Sequence, residues 1–97
     1  NNPLVLTITT LFRYFLNLLT YHYQKKTTPN TQEMARLLGV HPFFMKDYID
    51  GGKIYNAMKC ATTISLLREY DMKSKGVGNA NISDGELLKE LIFKIMH

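Results

Sequence analysis

The first 24 residues carry one charge, Arg13, in an otherwise apolar and hydroxyl-bearing run. At 100° per residue, Leu4, Val5, Ile8, Leu11, Phe12, Phe15, Leu16, Leu18, Leu19 and Tyr23 share an arc of roughly 160°. Thr9, Thr10, Arg13, Asn17, Thr20 and Gln24 fall on the other side. This predicts a long helix, capped by Asn2 with Pro3 at its first position. Its apolar arc is wider than a surface helix needs. Two arrangements remain open: one generous core, or neighbours on two sides. The polar face and the central Arg13 argue against a membrane span, since an Arg at the centre of a span costs about 2.5–3.5 kcal/mol on insertion scales.

Beyond "TTPNT" the same period continues in shorter pieces. Asn30 or Thr31 starts a second helix, "QEMARLL", stopped by Gly39. Pro42 opens a third, "PFFMKDYI", ended by Gly51-Gly52. A fourth helix is expected from about Lys53 to Lys75. Ser83 and Glu86 form the S-x-x-E capping box of a fifth, on which Leu87, Leu88, Leu91, Ile92, Ile95 and Met96 line one side. No segment alternates as a strand does. The expected fold is all-α, a compact bundle of about five helices in a single domain spanning residues 1–97.

Composition adds little to that picture. The chain has 97 residues, 45% apolar and 21% charged, with a net charge of +4 spread along its length. This permits contact with nucleic acid without arguing for it. Cys60 is the single cysteine, so there is no disulfide framework, and a cytoplasmic location is expected. No signal-peptide pattern is visible. A chain beginning at Asn1 is expected to be part of a longer one.

The segment "KSKGVGNANISDGE" invites a phosphate-binding reading. A P-loop, however, places its glycines before the Lys-Ser/Thr and after a strand. Here the lysines come first and a helix precedes them. Asp84 and Glu86 then occupy the start of the fifth helix, where they favour the positive helix end and repel a phosphate. The segment is expected to be a connector. His22, His41 and His97 lie far apart, with no Cys or carboxylate at metal spacing. A Cys60–His pairing is left open by one sequence, but Cys60 lies mid-helix among Ala57, Ala61 and Ile64, the position of a small buried thiol. No catalytic residue, cofactor or metal is expected.

Two patterns suggest binding. "TQEMARLLGVHPFFMKDYI" has the beat of a helix-turn-helix, yet its third helix offers Phe43, Phe44, Met45 and Tyr48, with only Lys46 for phosphate and no Arg, Asn or Gln for bases. On the fourth helix Ala57, Ala61 and Ser65 repeat every four residues, a spacing that lets another helix approach. Arg68 continues this stripe. It is either held by a carboxylate, within the domain or across a subunit boundary, or extends to water. Phe93 projects opposite the apolar side of the fifth helix, among Glu86, Lys89 and Glu90. Wheel geometry makes Val5, Phe12, Leu16 and Leu19 on the first helix, Arg68 on the fourth and Phe93 on the fifth the candidate subunit-interface residues.

The run "SLLREYDMKSKGVGNANISDGELLKELIFKI", Ser65 to Ile95, resembles the C-terminal signature of the delta subunit of bacterial DNA polymerase III. "ARLLGVHPFFMKDYI" and "PLVLTITTLFRYFLNLL" are also similar to that domain, and Met72 departs from the small or polar residue expected there. The resemblance spans nearly the whole chain and is most specific from Ser65 onward. It implies a C-terminal collar domain of the clamp loader, which opens the sliding clamp and places it on primed DNA. The implied partners are the gamma/tau and delta prime subunits; the clamp and DNA would be reached only through the full-length subunit and complex. The resemblance also implies a non-catalytic part of a nucleotidyltransferase assembly. The alternative is a helix-turn-helix-like DNA-binding module.

Overall fold

A computed structural model describes residues 2–28, 30–77 and 81–97. The protein is an all-α bundle: α1 (Pro3–Gln24), α2 (Thr31–Leu38), a 3-10 turn (Pro42–Phe44), α3 (Met45–Ile54), α4 (Ala57–Ser74) and α5 (Asp84–Met96). It is longer than it is wide, 48 × 26 × 18 Å. Its radius of gyration is 14.9 Å, against about 12–13 Å for a rounded chain of this length.

The helix starts follow local chemistry. The Asn2 side chain accepts from the Leu4 and Val5 amides, Asn30 from Gln32 and Glu33, and Ser83 from Glu86. Each satisfies donors that have no partner inside the helix. Gly39 ends α2 at φ +70°, a left-handed conformation that costs glycine little. The amide of Asn2 also donates to Asp84 at 2.7 Å, tying the start of α1 to the start of α5.

α1 sits at the centre and touches α2, α3, α4 and α5. Leu4, Ile8, Phe15 and Leu18 bury against Cys60, Leu67 and Tyr70 of α4, Leu87, Leu91 and Ile95 of α5, and Met34, Met45 and Tyr48 of α2 and α3 in one core. By length and composition α1 is also the one helix among the described residues able to cross a membrane, a test that a central core helix passes equally. α4 runs antiparallel to it: His22, near the end of α1, donates from Nε2–H to the Tyr55 carbonyl at 2.7 Å, just ahead of α4. The carbonyl can only accept, which fixes the proton on that nitrogen.

Three expectations change. Asn17, placed on the polar side of α1, is buried, and its amide donates to the Tyr48 hydroxyl at 3.2 Å. The side of α1 opposite α4 is therefore also an interface, with Tyr14 stacked on Tyr48 at 5.1 Å. Gly51-Gly52 does not end the third helix, which runs on to Ile54. Nor does one helix fill Lys53 to Lys75: the chain breaks at Tyr55, and the Asn56 side chain caps α4 by accepting from Lys59 at 2.8 Å. The glycines serve packing. A Cβ on Gly51 would lie 2.0 Å from the Tyr14 hydroxyl, and one on Gly52 3.0 Å from the Tyr21 ring.

Gly51→Ala should therefore destabilise the fold by up to about 2 kcal/mol, the overpacking of about 1–3 kcal/mol less the roughly 1 kcal/mol of helix propensity gained. In a Tyr14→Phe background, which removes the closest atom, the same change should be near neutral. Thermal melting of the four variants in the cycle measures the coupling. Equal losses in both backgrounds would show that the Tyr14 hydroxyl is not what Gly51 accommodates.

Candidate protein-interaction surface

Ridges of α1 and α4 leave an open groove of about 490 Å³ between them, lined by Ile8, Thr9, Phe12, Arg13, Leu16, Leu67, Arg68 and Asp71. The antiparallel packing of the two helices brings three of the six interface candidates, Phe12, Leu16 and Arg68, to one place. Leu16 is 43% exposed, whereas Phe12 is half-buried against the core. Val5 lies farther toward the start of α1, beside Asn2, Leu6 and Thr9 in a shallower depression. Thr9 borders both, so the two depressions are neighbours along the helix.

The other two candidates are placed differently. Leu19 is half-buried and packs against the core, so it offers little free surface. Phe93 is 65% exposed on α5, with its ring 4.4 Å from that of His97. It is not isolated among charges: Leu88, Ile92 and Met96 share its shallow apolar depression. Ile54 and Met58, flanking the break before α4, are also exposed.

The electrostatics of the groove are uneven. Arg13 and Arg68 have no hydrogen-bond or ion-pair partner among the described residues, so no carboxylate among them holds Arg68. Asp71, the one acid in the lining, bonds Lys75 at 3.0 Å. Elsewhere Lys46 pairs with Asp50 at 2.6 Å and Lys73 with Glu69 at 3.2 Å. The sequence pattern missed Arg13 as a surface residue of interest because it lies outside the apolar arc of α1. Only the packing of α1 on α4 sets it at the same groove as Arg68.

The glycine-containing segment closes α4. The Gly76 amide donates to Lys73 O at 3.0 Å and the Val77 amide to Met72 O at 3.1 Å, with Gly76 at φ +90°. This paired return of amides onto the last turn is a Schellman stop. Lys73 pairs with Glu69 and Lys75 with Asp71, each one helical turn back. Gly78, Asn79 and Ala80 lie outside the described residues.

Other polar groups have structural partners. Cys60 is buried, with Sγ 3.8 Å from the Tyr55 carbonyl, and burial raises its thiol pKa, which keeps it protonated and unreactive at neutral pH. His41 Nδ1 accepts from the Phe43 amide at 3.0 Å and so caps the 3-10 turn. No group of three or more His, Cys, Asp or Glu among the described residues is arranged to hold a metal. On the third helix of the helix-turn-helix reading, Lys46 is committed to Asp50, and the exposed Phe43 and Phe44 precede it. Asp47 and Asp50 on that helix would repel phosphates.

Comparison of the chain with protein-family models, with curated proteins and with solved structures finds no match.

Proposed function

We propose that this chain is an assembly scaffold, the collar domain of a delta-like clamp-loader subunit that binds neighbouring loader subunits through its apolar helix faces. The observation that carries this reading is the convergence of Phe12, Leu16 and Arg68 on one open groove. A second exposed apolar patch, around Phe93, Ile92 and Met96 on α5, supports it. The elongated bundle has surface to give: a stable interface buries about 1,200–2,000 Å² in total. In this role the domain performs no chemistry. It holds the clamp-opening domains of the longer subunit in register with the subunits that hydrolyse ATP.

Native mass spectrometry of the chain mixed with gamma/tau and delta prime subunits tests the proposal, with duplex DNA in a parallel sample. The expected result is a defined complex with one copy of this chain. Leu16→Ala, Arg68→Ala and Phe93→Ala combined should weaken it at least about 30-fold, near 2 kcal/mol, while helix content stays unchanged. Absence of a complex, together with DNA binding that falls steeply with salt, would replace the scaffold with the helix-turn-helix reading.

A further inference from the structure

The groove between α1 and α4 has a floor and a rim of different chemistry. Phe12 and Leu16 supply the accessible apolar surface over the buried Ile8 and Leu67, and Arg13 and Arg68 supply two cations with no ion-pair partner among the described residues. Lys46, Lys73 and Lys75 find carboxylates one helical turn away, whereas Arg13 and Arg68, like most of the other cations, have no ion-pair partner among the described residues; what sets these two apart is that both line the same groove. Asp71 does not compensate them, because it is engaged by Lys75. Thr9 spends its hydroxyl proton on the Val5 carbonyl at 3.0 Å.

We infer that this groove receives an acidic amphipathic helix, whose apolar side chains fill the floor and whose carboxylates meet Arg13 and Arg68. The inference rests on the scaffold reading and names the chemistry of the partner segment. Two antiparallel helices form the walls, and a third laid along them would continue the ridge-into-groove packing of the bundle, at an axial separation of about 8–10 Å. Anchors at i, i+3 or i+4, and i+7 suit such a groove. The guanidinium fork favours carboxylates, which it binds through two parallel hydrogen bonds. Phosphate shares that preference, but a nucleic-acid backbone leaves the aliphatic floor wet.

The test uses three probes: a helical peptide of about five turns with Leu anchors flanked by Glu, its counterpart with Lys at every Glu, and a DNA duplex. Binding to the intact chain is followed by NMR. The Glu peptide should bind at least about tenfold more tightly than the Lys peptide, shifting the resonances of Thr9, Phe12, Arg13, Leu16 and Arg68. The Arg13→Glu/Arg68→Glu variant should reverse the preference without changing the circular dichroism spectrum. Equal affinities, no binding of the Glu peptide, or displacement of shifts at these residues by the duplex would overturn the inference. Assembly with loader subunits is measured separately. A complex that forms while the Glu peptide fails leaves the scaffold reading standing and removes this one; the reverse outcome removes the named partners and keeps the acidic helix.

Discussion

Replacing Tyr70 with alanine is expected to cost about 3–5 kcal/mol, the range of large aromatic truncations in a core. Whole domains of this size are stable by about 5–15 kcal/mol, so this one change should remove a large share of the total stability. Tyr70 is completely buried, and it joins α4 to α5 in two ways. Its ring fills the core between Leu67 and the Leu87–Leu91 stripe. Its hydroxyl donates to the Glu90 carboxylate, while Lys73 and Lys94 lie over the ring at 4.6 and 5.1 Å. Tyr70→Phe keeps the ring and loses only the hydroxyl. Because Glu90 retains access to water, that variant should lose no more than about 1–2 kcal/mol. Guanidinium unfolding followed by far-UV circular dichroism gives both values. If Phe costs as much as Ala, the carboxylate bond rather than ring packing holds α5 in place.

The second large effect is expected at Leu18, and its neighbours make it a test of how α1 is turned. Leu18→Ala should cost about 3–5 kcal/mol, because a fully buried leucine leaves a cavity that a central helix cannot collapse to fill. Leu19→Ala, at a half-buried position, should cost less, about 1–2 kcal/mol on the area it covers. Leu16→Ala should cost least, under about 1 kcal/mol, since its side chain already faces water. Three leucines within one helical turn thus have a fixed order of loss: Leu18, Leu19, Leu16. If Leu16 ranks first, α1 is rotated from its assigned orientation, and the groove on which the functional reading stands belongs to the core.

Local chemistry made the helix starts readable from the sequence. Asn2, Asn30 and Ser83 each cap through a side chain two or three residues from the amide they satisfy, and Gly39 stops α2 through its own backbone. Such signals need no knowledge of the partner helices. The Gly51-Gly52 pair misled because a glycine that ends a helix and one that admits a neighbour look alike in a sequence. What distinguishes them here is Tyr14, 37 positions away in the chain. The true boundary carried its own signal, Asn56 before Ala57, which the stronger glycine pair obscured. Asn17 follows the same logic: on a helical wheel it is polar, and only the Tyr48 hydroxyl makes burial acceptable. For the surface, wheels found Phe12, Leu16 and Arg68 individually. They could not bring them together or add Arg13, because a wheel describes one helix and the groove belongs to two.

The central place of α1 has a consequence for the ribosome. This helix is made before the rest of the bundle, and its broadest partner, α4, is complete only after Ser74, 50 residues beyond Gln24. At about 5–20 residues per second, Phe15, Leu18 and their neighbours wait roughly 3–10 s before the surface that covers them exists. In that interval the nascent chain presents a long apolar helix with one charge. A holding chaperone or targeting factor that scans emerging chains for such segments would meet this one before it folds.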